Sequence, residues 1–105
     1  MPTLIYSLMM QNNNTILILF SPLFDKRLRQ LPGNIIAAFN ATIDLFLDSQ
    51  HHVLLRRRFL KEKYAGLKSI DITDEYRAVL KEIKKESLHI IKFHIIGTHD
   101  QLYGK

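Results

Sequence analysis

The stretch that decides the fold is residues 15–48, TILILFSPLFDKRLRQLPGNIIAAFNATIDLFLD. Its first six residues are mostly β-branched and apolar, which predicts a buried strand. Ser21 and Pro22 then predict a helix start, because a serine side chain caps the first turn and proline fits the first helical position. We expect this helix over 22–31, where the Pro-Gly pair at 32–33 ends it.

A second helix is predicted over 35–48, with Asn34 as its N-terminal cap. Its apolar residues recur at the spacing of a core-facing stripe: Ile36, Phe39, Ile43, Phe46 and Leu47. Neither amphipathic helix can bury its stripe alone, so the helical hairpin needs a sheet to pack on.

The rest of the chain supplies that sheet. Strands are predicted over 67–72, 76–82 and 88–96, with turns at 73–75 and 83–87. In the last strand the alternation predicts one face with Ile91, Phe93 and Ile95, and the other face with Lys92 and His94. We therefore expect an α+β domain: an N-terminal strand and a two-helix hairpin packed on a twisted, mainly antiparallel sheet of about four strands.

Length and composition limit the domain organisation of the chain and the kinds of partner and site that it can have. The chain has 105 residues and a formal net charge of +5, which favours a polyanionic partner. It has no cysteine, so a disulfide framework, a thiolate nucleophile and a Cys-based zinc site are excluded. Residues 15–105 are predicted to form one domain, and residues 1–14 an N-terminal tail that need not be ordered. We predict no membrane segment and a cytoplasmic location.

Three short motifs carry a resemblance to a known family. They are Leu-Lys-Glu-Lys-Tyr-Ala-Gly-Leu-Lys-Ser-Ile at 60–70, Asp-Ile-Thr-Asp-Glu-Tyr-Arg-Ala-Val at 71–79, and Gly-Thr-His-Asp-Gln-Leu-Tyr at 97–103. Together with the strand–helix–helix–strands order, they resemble the RelE/ParE superfamily of bacterial toxins, its YafQ-like members in particular. The similarity covers about residues 16–104 and implies a RelE-like fold.

The resemblance implies the toxin of a type II toxin–antitoxin system. Such toxins are ribosome-dependent endoribonucleases that cut mRNA without a metal or cofactor, and a partner antitoxin holds them inactive. We expect that antitoxin to be acidic and encoded by a neighbouring gene. Carried over residue by residue, His99 matches the catalytic histidine, Tyr103 the terminal aromatic residue that orders a base, and Arg77 the phosphate-contacting arginine.

The chain departs from the YafQ-like pattern at several positions. Arg58 and Asp71 stand where histidines are typical, Glu62 replaces a glycine, Ile95 replaces a basic residue, and Glu75-Tyr76 replaces an acid–Trp pair. Two alternatives to the nuclease therefore stay open: a ParE-like inhibitor of DNA gyrase, and a catalytically degenerate module that only binds its antitoxin.

The candidate chemistry follows from the side chains. A histidine suits proton transfer, because its reference pKa of about 6.5 lies near working pH. We expect His99 to be the general acid, and Arg77 and Arg58 to stabilise the phosphorane. Asp71 or Glu75 is the candidate base, unless the ribosome makes a protein base unnecessary.

Further residues are candidates for RNA binding. The basic ones, which would contact the backbone, are Arg56, Arg57, Lys61, Lys63 and Lys68. Tyr64 and Tyr103 would stack on unpaired bases. This interpretation requires His99 and Arg77 to converge over the open side of the sheet.

Overall fold

The computed structural model describes residues 4–11, 14–48 and 58–104. The strands in these ranges are β1 (Leu4–Gln11), β2 (Asn14–Phe20), β3 (Arg58–Phe59), β4 (Lys68–Asp71), β5 (Tyr76–Lys85) and β6 (Leu88–Thr98). The helices are α1 (Pro22–Arg29), α2 (Gly33–Asp48) and α3 (His99–Tyr103), with a 3-10 turn at Glu62–Tyr64. The described strands form one sheet in the order β1-β2-β6-β5-β4-β3.

The α+β class is confirmed. Strand β2 is parallel to β6, and every other neighbouring pair is antiparallel. The sheet has six strands in the described residues rather than about four. The added strands are β1 at one edge and the two-residue β3 at the other. No helix in the described ranges has the length and apolarity needed to cross a membrane.

Strand β1 lies where the sequence predicts a tail. It pairs with β2 from Leu4 opposite Phe20 to Gln11 opposite Asn14, with one irregularity between Ile5 and Ser7. The apolar N-terminal segment thus extends the sheet by hydrogen-bonding to the edge of β2 that faces away from β6.

The helical hairpin forms, but α1 ends at Arg29 rather than at residue 31, and the start of the second helix differs from the prediction. Ser21 Oγ accepts a hydrogen bond from the Phe24 N–H at 3.0 Å, and Pro22 occupies the first turn of α1. Helix α2 begins at Gly33, and the Pro32 carbonyl accepts the Ile35 N–H at 3.0 Å. Asn34, the predicted cap, therefore lies inside the first turn.

The main core fills the space between the helices and the sheet. At its centre the rings of Phe20, Phe24, Phe39 and Phe93 contact one another at centroid distances of 4.7–5.9 Å. All four are buried, which explains how α1 and α2 are held on the sheet. Strand β5 extends to Lys85, beyond the predicted end, so the turn before β6 is shorter than expected.

A β-bulge in β6 changes which face of the sheet the residues after it occupy. Val79 pairs with Ile95 and Leu80 with Phe93, so His94 is an extra residue opposite β5. Ile95 consequently lies on the opposite face from Phe93, and the predicted alternation is wrong for Ile95. It joins a smaller core with Val79, Tyr64 and Leu102.

We call this second side, turned away from α1 and α2, the distal face. The register assigns to it Ser69 and Asp71 of β4, Arg77 and Val79 of β5, and Ile95 and Gly97 of β6.

Candidate functional site

An arginine–aspartate cluster lies on the distal face. Asp71 of β4 is the register partner of Arg77 of β5, and Arg77 Nε lies 3.3 Å from Asp71 Oδ1. Arg58 Nη2 of β3 lies 3.5 Å from the same oxygen. The side chains of Arg77 and Asp71 are only 20% and 13% exposed, whereas that of Arg58 is 45% exposed. The structure thus brings together three of the predicted site residues around one carboxylate oxygen.

A row of four rings lies on the same face. The His99 ring lies 4.6 Å from that of Tyr103, which lies 5.9 Å from Tyr64, which in turn lies 6.5 Å from His94, measured between centroids. Lys63 Nζ lies 5.1 Å from the centre of the Tyr64 ring. Tyr64 is buried, whereas both histidines are exposed. The row therefore presents polar ring edges to solvent at both ends.

Helix α3 holds His99 through a capping box. Thr98 Oγ1 accepts the Gln101 N–H at 3.2 Å, and Gln101 Oε1 accepts the Thr98 N–H at 2.9 Å. Leu102, on the same helix, is fully buried in the smaller core with Val79 and Ile95. These contacts fix the first turn of α3, where His99 is the first residue.

Gly97 lets α3 approach the sheet closely. A Cβ atom built on Gly97 would lie 2.9 Å from Gln101 Oε1 and 3.3 Å from Gln101 Cβ. Gly97 is also the register partner of Arg77, and His99 follows two residues later. The backbone therefore places His99 and Arg77 at the same end of the distal face.

Other residues predicted to belong to the site lie away from the end of the distal face that holds His99 and Arg77. Lys68 lies on the helix side of the sheet, where its Nζ is 3.1 Å from Glu82 Oε1 and 4.8 Å from the Phe59 ring centre. Glu75 lies in the turn between β4 and β5, where its N–H donates to Thr73 Oγ1. Lys61 is exposed beside the 3-10 turn. Arg56 and Arg57 lie outside the described residues.

His94 is not among the site residues predicted from the sequence, where the alternation puts it on an ordinary strand face. The bulge makes this side chain exposed and directs its ring to Tyr64. One signal was present: two apolar neighbours, Ile95 and Ile96, break the alternation, and a bulge is one way to bury both.

The side chains of this site are of the types that bind phosphate groups and stack on nucleobases. Guanidinium groups offer fixed donors for phosphate oxygens, imidazoles transfer protons, and tyrosines stack on bases. Among the described residues, no three His, Asp or Glu side chains are grouped so that they could bind one metal ion.

Comparison with known proteins identifies solved structures that share this fold. No protein-family model and no curated protein sequence matches the chain. Solved structures do match. YafQ from Escherichia coli strain BL21(DE3) superimposes with a TM-score of 0.69 at 15% identity, covering 83% of this chain and 97% of that one. The YoeB/ParE toxin from Agrobacterium tumefaciens gives 0.65 at 18% identity, covering 78% and 97%.

A more distant match agrees with these two. The RelB–RelE antitoxin–toxin complex from Methanococcus jannaschii gives a TM-score of 0.54 at 21% identity, covering 80% of this chain and 93% of that one. Similarity at this level of identity is similarity of fold. The chain therefore has the RelE/ParE-like fold of these toxins.

Proposed function

We propose that this chain is the toxin of a type II toxin–antitoxin system and that it cleaves mRNA on the ribosome without a metal ion. One observation carries the proposal: the arginine–aspartate cluster and the end of the ring row formed by His99 lie at the same end of one sheet face. The toxin folds that the chain resembles are consistent with it.

The proposed reaction is an internal displacement at phosphorus. The 2′-oxygen of one nucleotide forms a bond to the adjacent phosphorus, the bond to the 5′-oxygen breaks, and a 2′,3′-cyclic phosphate and a 5′-hydroxyl result. The His99 imidazolium gives its proton to the departing 5′-oxygen. Tyr103, packed 4.6 Å from that ring, limits its orientations. Arg77 and Arg58 bind the charge that develops on the phosphorane.

The proton from the 2′-hydroxyl needs an acceptor. Asp71 already forms ion pairs with two guanidinium groups, so we assign it the positioning of Arg77 and Arg58 rather than proton transfer. Glu75 lies in the turn immediately before β5, and among the described contacts it has none with the arginine–aspartate cluster. Under this proposal, water or a group of the ribosome takes the proton.

The proposed inhibitor is an antitoxin. Solved relatives of this fold include a DinJ–YafQ toxin–antitoxin complex from E. coli and a YoeB–YefM complex from Staphylococcus aureus. The net charge of +5 favours rapid association with an acidic partner, which we propose is encoded beside this gene. The proposed place of action is the cytoplasm, where ribosomes translate mRNA.

The direct test is cleavage of a defined mRNA on programmed ribosomes, mapped by primer extension. We expect the wild-type chain to cut, and His99→Ala to cut about 10²–10⁴-fold more slowly, the usual contribution of a general acid. Lys26→Ala, an exposed change on α1, serves as the control and is expected to cut at the wild-type rate. Intact mRNA with the wild-type chain would rule out the nuclease. DNA damage with intact mRNA would favour gyrase inhibition.

A further inference from the structure

Two lysines face each other on the distal face beyond the site. Lys81 of β5 and Lys92 of β6 are direct register partners. Their neighbours Leu80, Ile91 and Phe93 belong to the main core, so both lysines point to the distal face. Directly opposed like charges destabilise an antiparallel pair. Within the described residues neither ammonium group has an acidic partner, so the pair has an unbalanced positive charge.

His94 lies between this lysine pair and the cleavage site. It is two residues from Lys92 along β6, and its ring contacts Tyr64. Its position is held from the end of the neighbouring strand β2, because Ser21 Oγ donates to the His94 carbonyl at 2.7 Å and the Ser21 N–H donates to the Phe93 carbonyl at 3.0 Å. The bulge that exposes His94 is therefore fixed by the cap of α1.

These groups continue the line of positive charge that begins at the proposed site. Arg77 and Lys81 are four residues apart on one strand, about 13 Å at the usual rise per residue. On the same face the exposed His94 ring lies against the buried Tyr64, and the half-buried Tyr103 lies beside His99 at the Arg77 end. Cationic side chains and accessible rings thus occur on one face, as phosphates and bases occur in a single strand.

We propose that Lys81, Lys92 and His94 form a second RNA-binding site, which holds the sugar–phosphate backbone of nucleotides flanking the cut. This inference rests on the proposed function for its substrate, unpaired RNA. Rings beside the cations favour RNA over an acidic peptide, because a peptide would use the charges but not the stacking surfaces. Occupation by a polyanion would also relieve the repulsion between the two lysines.

The first experiment measures binding to a single-stranded 2′-O-methyl oligoribonucleotide, which lacks the attacking hydroxyl, over a range of salt concentrations. Each phosphate contact in a single strand contributes about 0.7 to the slope of log K against log salt. Lys81→Gln/Lys92→Gln should therefore reduce the slope by about 1.4 and weaken binding about 25-fold at 0.1 M salt, relative to 1 M salt. His94→Ala should weaken binding a few-fold, by roughly the loss of one donor.

The matched control is Lys26→Gln/Lys84→Gln. It removes the same charge from two exposed lysines away from the distal face, and the slope should change little. The thermal midpoint of Lys81→Gln/Lys92→Gln should stay the same or rise, because the opposed charges are gone. If Lys81→Gln/Lys92→Gln had the same slope of log K against log salt as the wild-type chain, the proposal of a second site would be wrong. Loss of binding to a poly-glutamate peptide with unchanged RNA binding would overturn it as well.

Programmed ribosomes then separate this inference from the proposed function. We expect Lys81→Gln/Lys92→Gln to raise KM without lowering kcat, because these residues hold nucleotides that do not react. A wild-type chain that cuts, with unchanged KM in the variant, would remove the second site and leave the nuclease. A wild-type chain that binds RNA through these residues but does not cut would remove the nuclease and leave the site. Absence of RNA binding by the wild-type chain would overturn both.

Discussion

Arg77 Nε lies 3.3 Å from Asp71 Oδ1 across neighbouring strands of the distal face. A carboxylate here occupies a position where the YafQ-like pattern has a histidine, and it also contacts Arg58. The contact orients Arg77 through its Nε and leaves its two terminal nitrogens to donate to a phosphate. The same carboxylate repels that phosphate, so the site combines fixed geometry with reduced positive charge.

Asp71→Asn separates these two effects. The amide keeps the shape of the side chain but removes the negative charge that pairs with Arg77. We expect kcat on programmed ribosomes to fall about tenfold from the loss of orientation, about 1.4 kcal/mol. RNA binding should become tighter, because the local charge rises by one. A loss of 10²–10⁴-fold in kcat with unchanged RNA affinity would instead identify Asp71 as the general base.

Gly97→Ala tests whether the close approach of α3 positions His99. The added Cβ would lie 2.9 Å from Gln101 Oε1, which closes the capping box on Thr98. Displacing Gln101 should destabilise the protein by about 1–2 kcal/mol, the range of a lost cap, and should lower kcat through His99. Denaturant unfolding and ribosome cleavage measure the two effects.

A second substitution checks that explanation. Gln101→Ala removes the side chain that the new methyl group would meet, although it also opens the capping box. In the Gly97→Ala/Gln101→Ala double variant the two losses should be less than additive, because both act on the same contact. Additive losses would show that Gly97 acts elsewhere.

Much of this architecture is predictable from local signals. Ser21 and Pro22 start α1 as the sequence indicates, because a cap needs only residues three apart in the chain. The strand before them is also found within one residue of its predicted bounds. These features depend on neighbours that the sequence shows side by side.

Features that depend on distant partners were not predictable. The bulge at His94 is held by a hydrogen bond from Ser21, 73 residues away, and the neighbouring Ile95-Ile96 pair indicates an irregularity without fixing its position. The side of the sheet on which Lys68 lies depends on the pairing of Lys68 with Leu80. Asp71 contacts two arginines only because three strands align there.

Lys68 and Lys63 provide a direct test of the two sheet faces. Lys68 Nζ lies 3.1 Å from Glu82 Oε1, whose side chain is 4% exposed and also contacts His89 Nε2 at 2.9 Å. Lys68→Met should destabilise the protein by about 1–2 kcal/mol, below the full cost of breaking a buried pair because Lys68 is 22% exposed. Its RNA affinity should not change.

Lys63→Met is the counterpart on the other face. Lys63 is exposed and its ammonium group lies over the Tyr64 ring. We expect little change in stability and a weaker, less salt-dependent interaction with single-stranded RNA. Thermal unfolding and fluorescence anisotropy measure both variants. Weaker RNA binding by Lys68→Met at unchanged stability would contradict this assignment of the faces.

Glu62 is the residue at which this chain departs from a family glycine, and its backbone shows the physical consequence. Its φ is 57°, in the left-handed region that glycine adopts without a steric penalty. Glu62→Gly should therefore raise the free energy of unfolding by about 0.5–1 kcal/mol, since the relief of roughly 1–2 kcal/mol exceeds the added entropy of the unfolded chain. Glu75→Gly is the matched control, because Glu75 is exposed in a turn but has no positive φ, and it should be neutral or destabilising. Urea unfolding measures both. Equal effects of the two substitutions would show that the left-handed backbone at Glu62 costs the protein nothing.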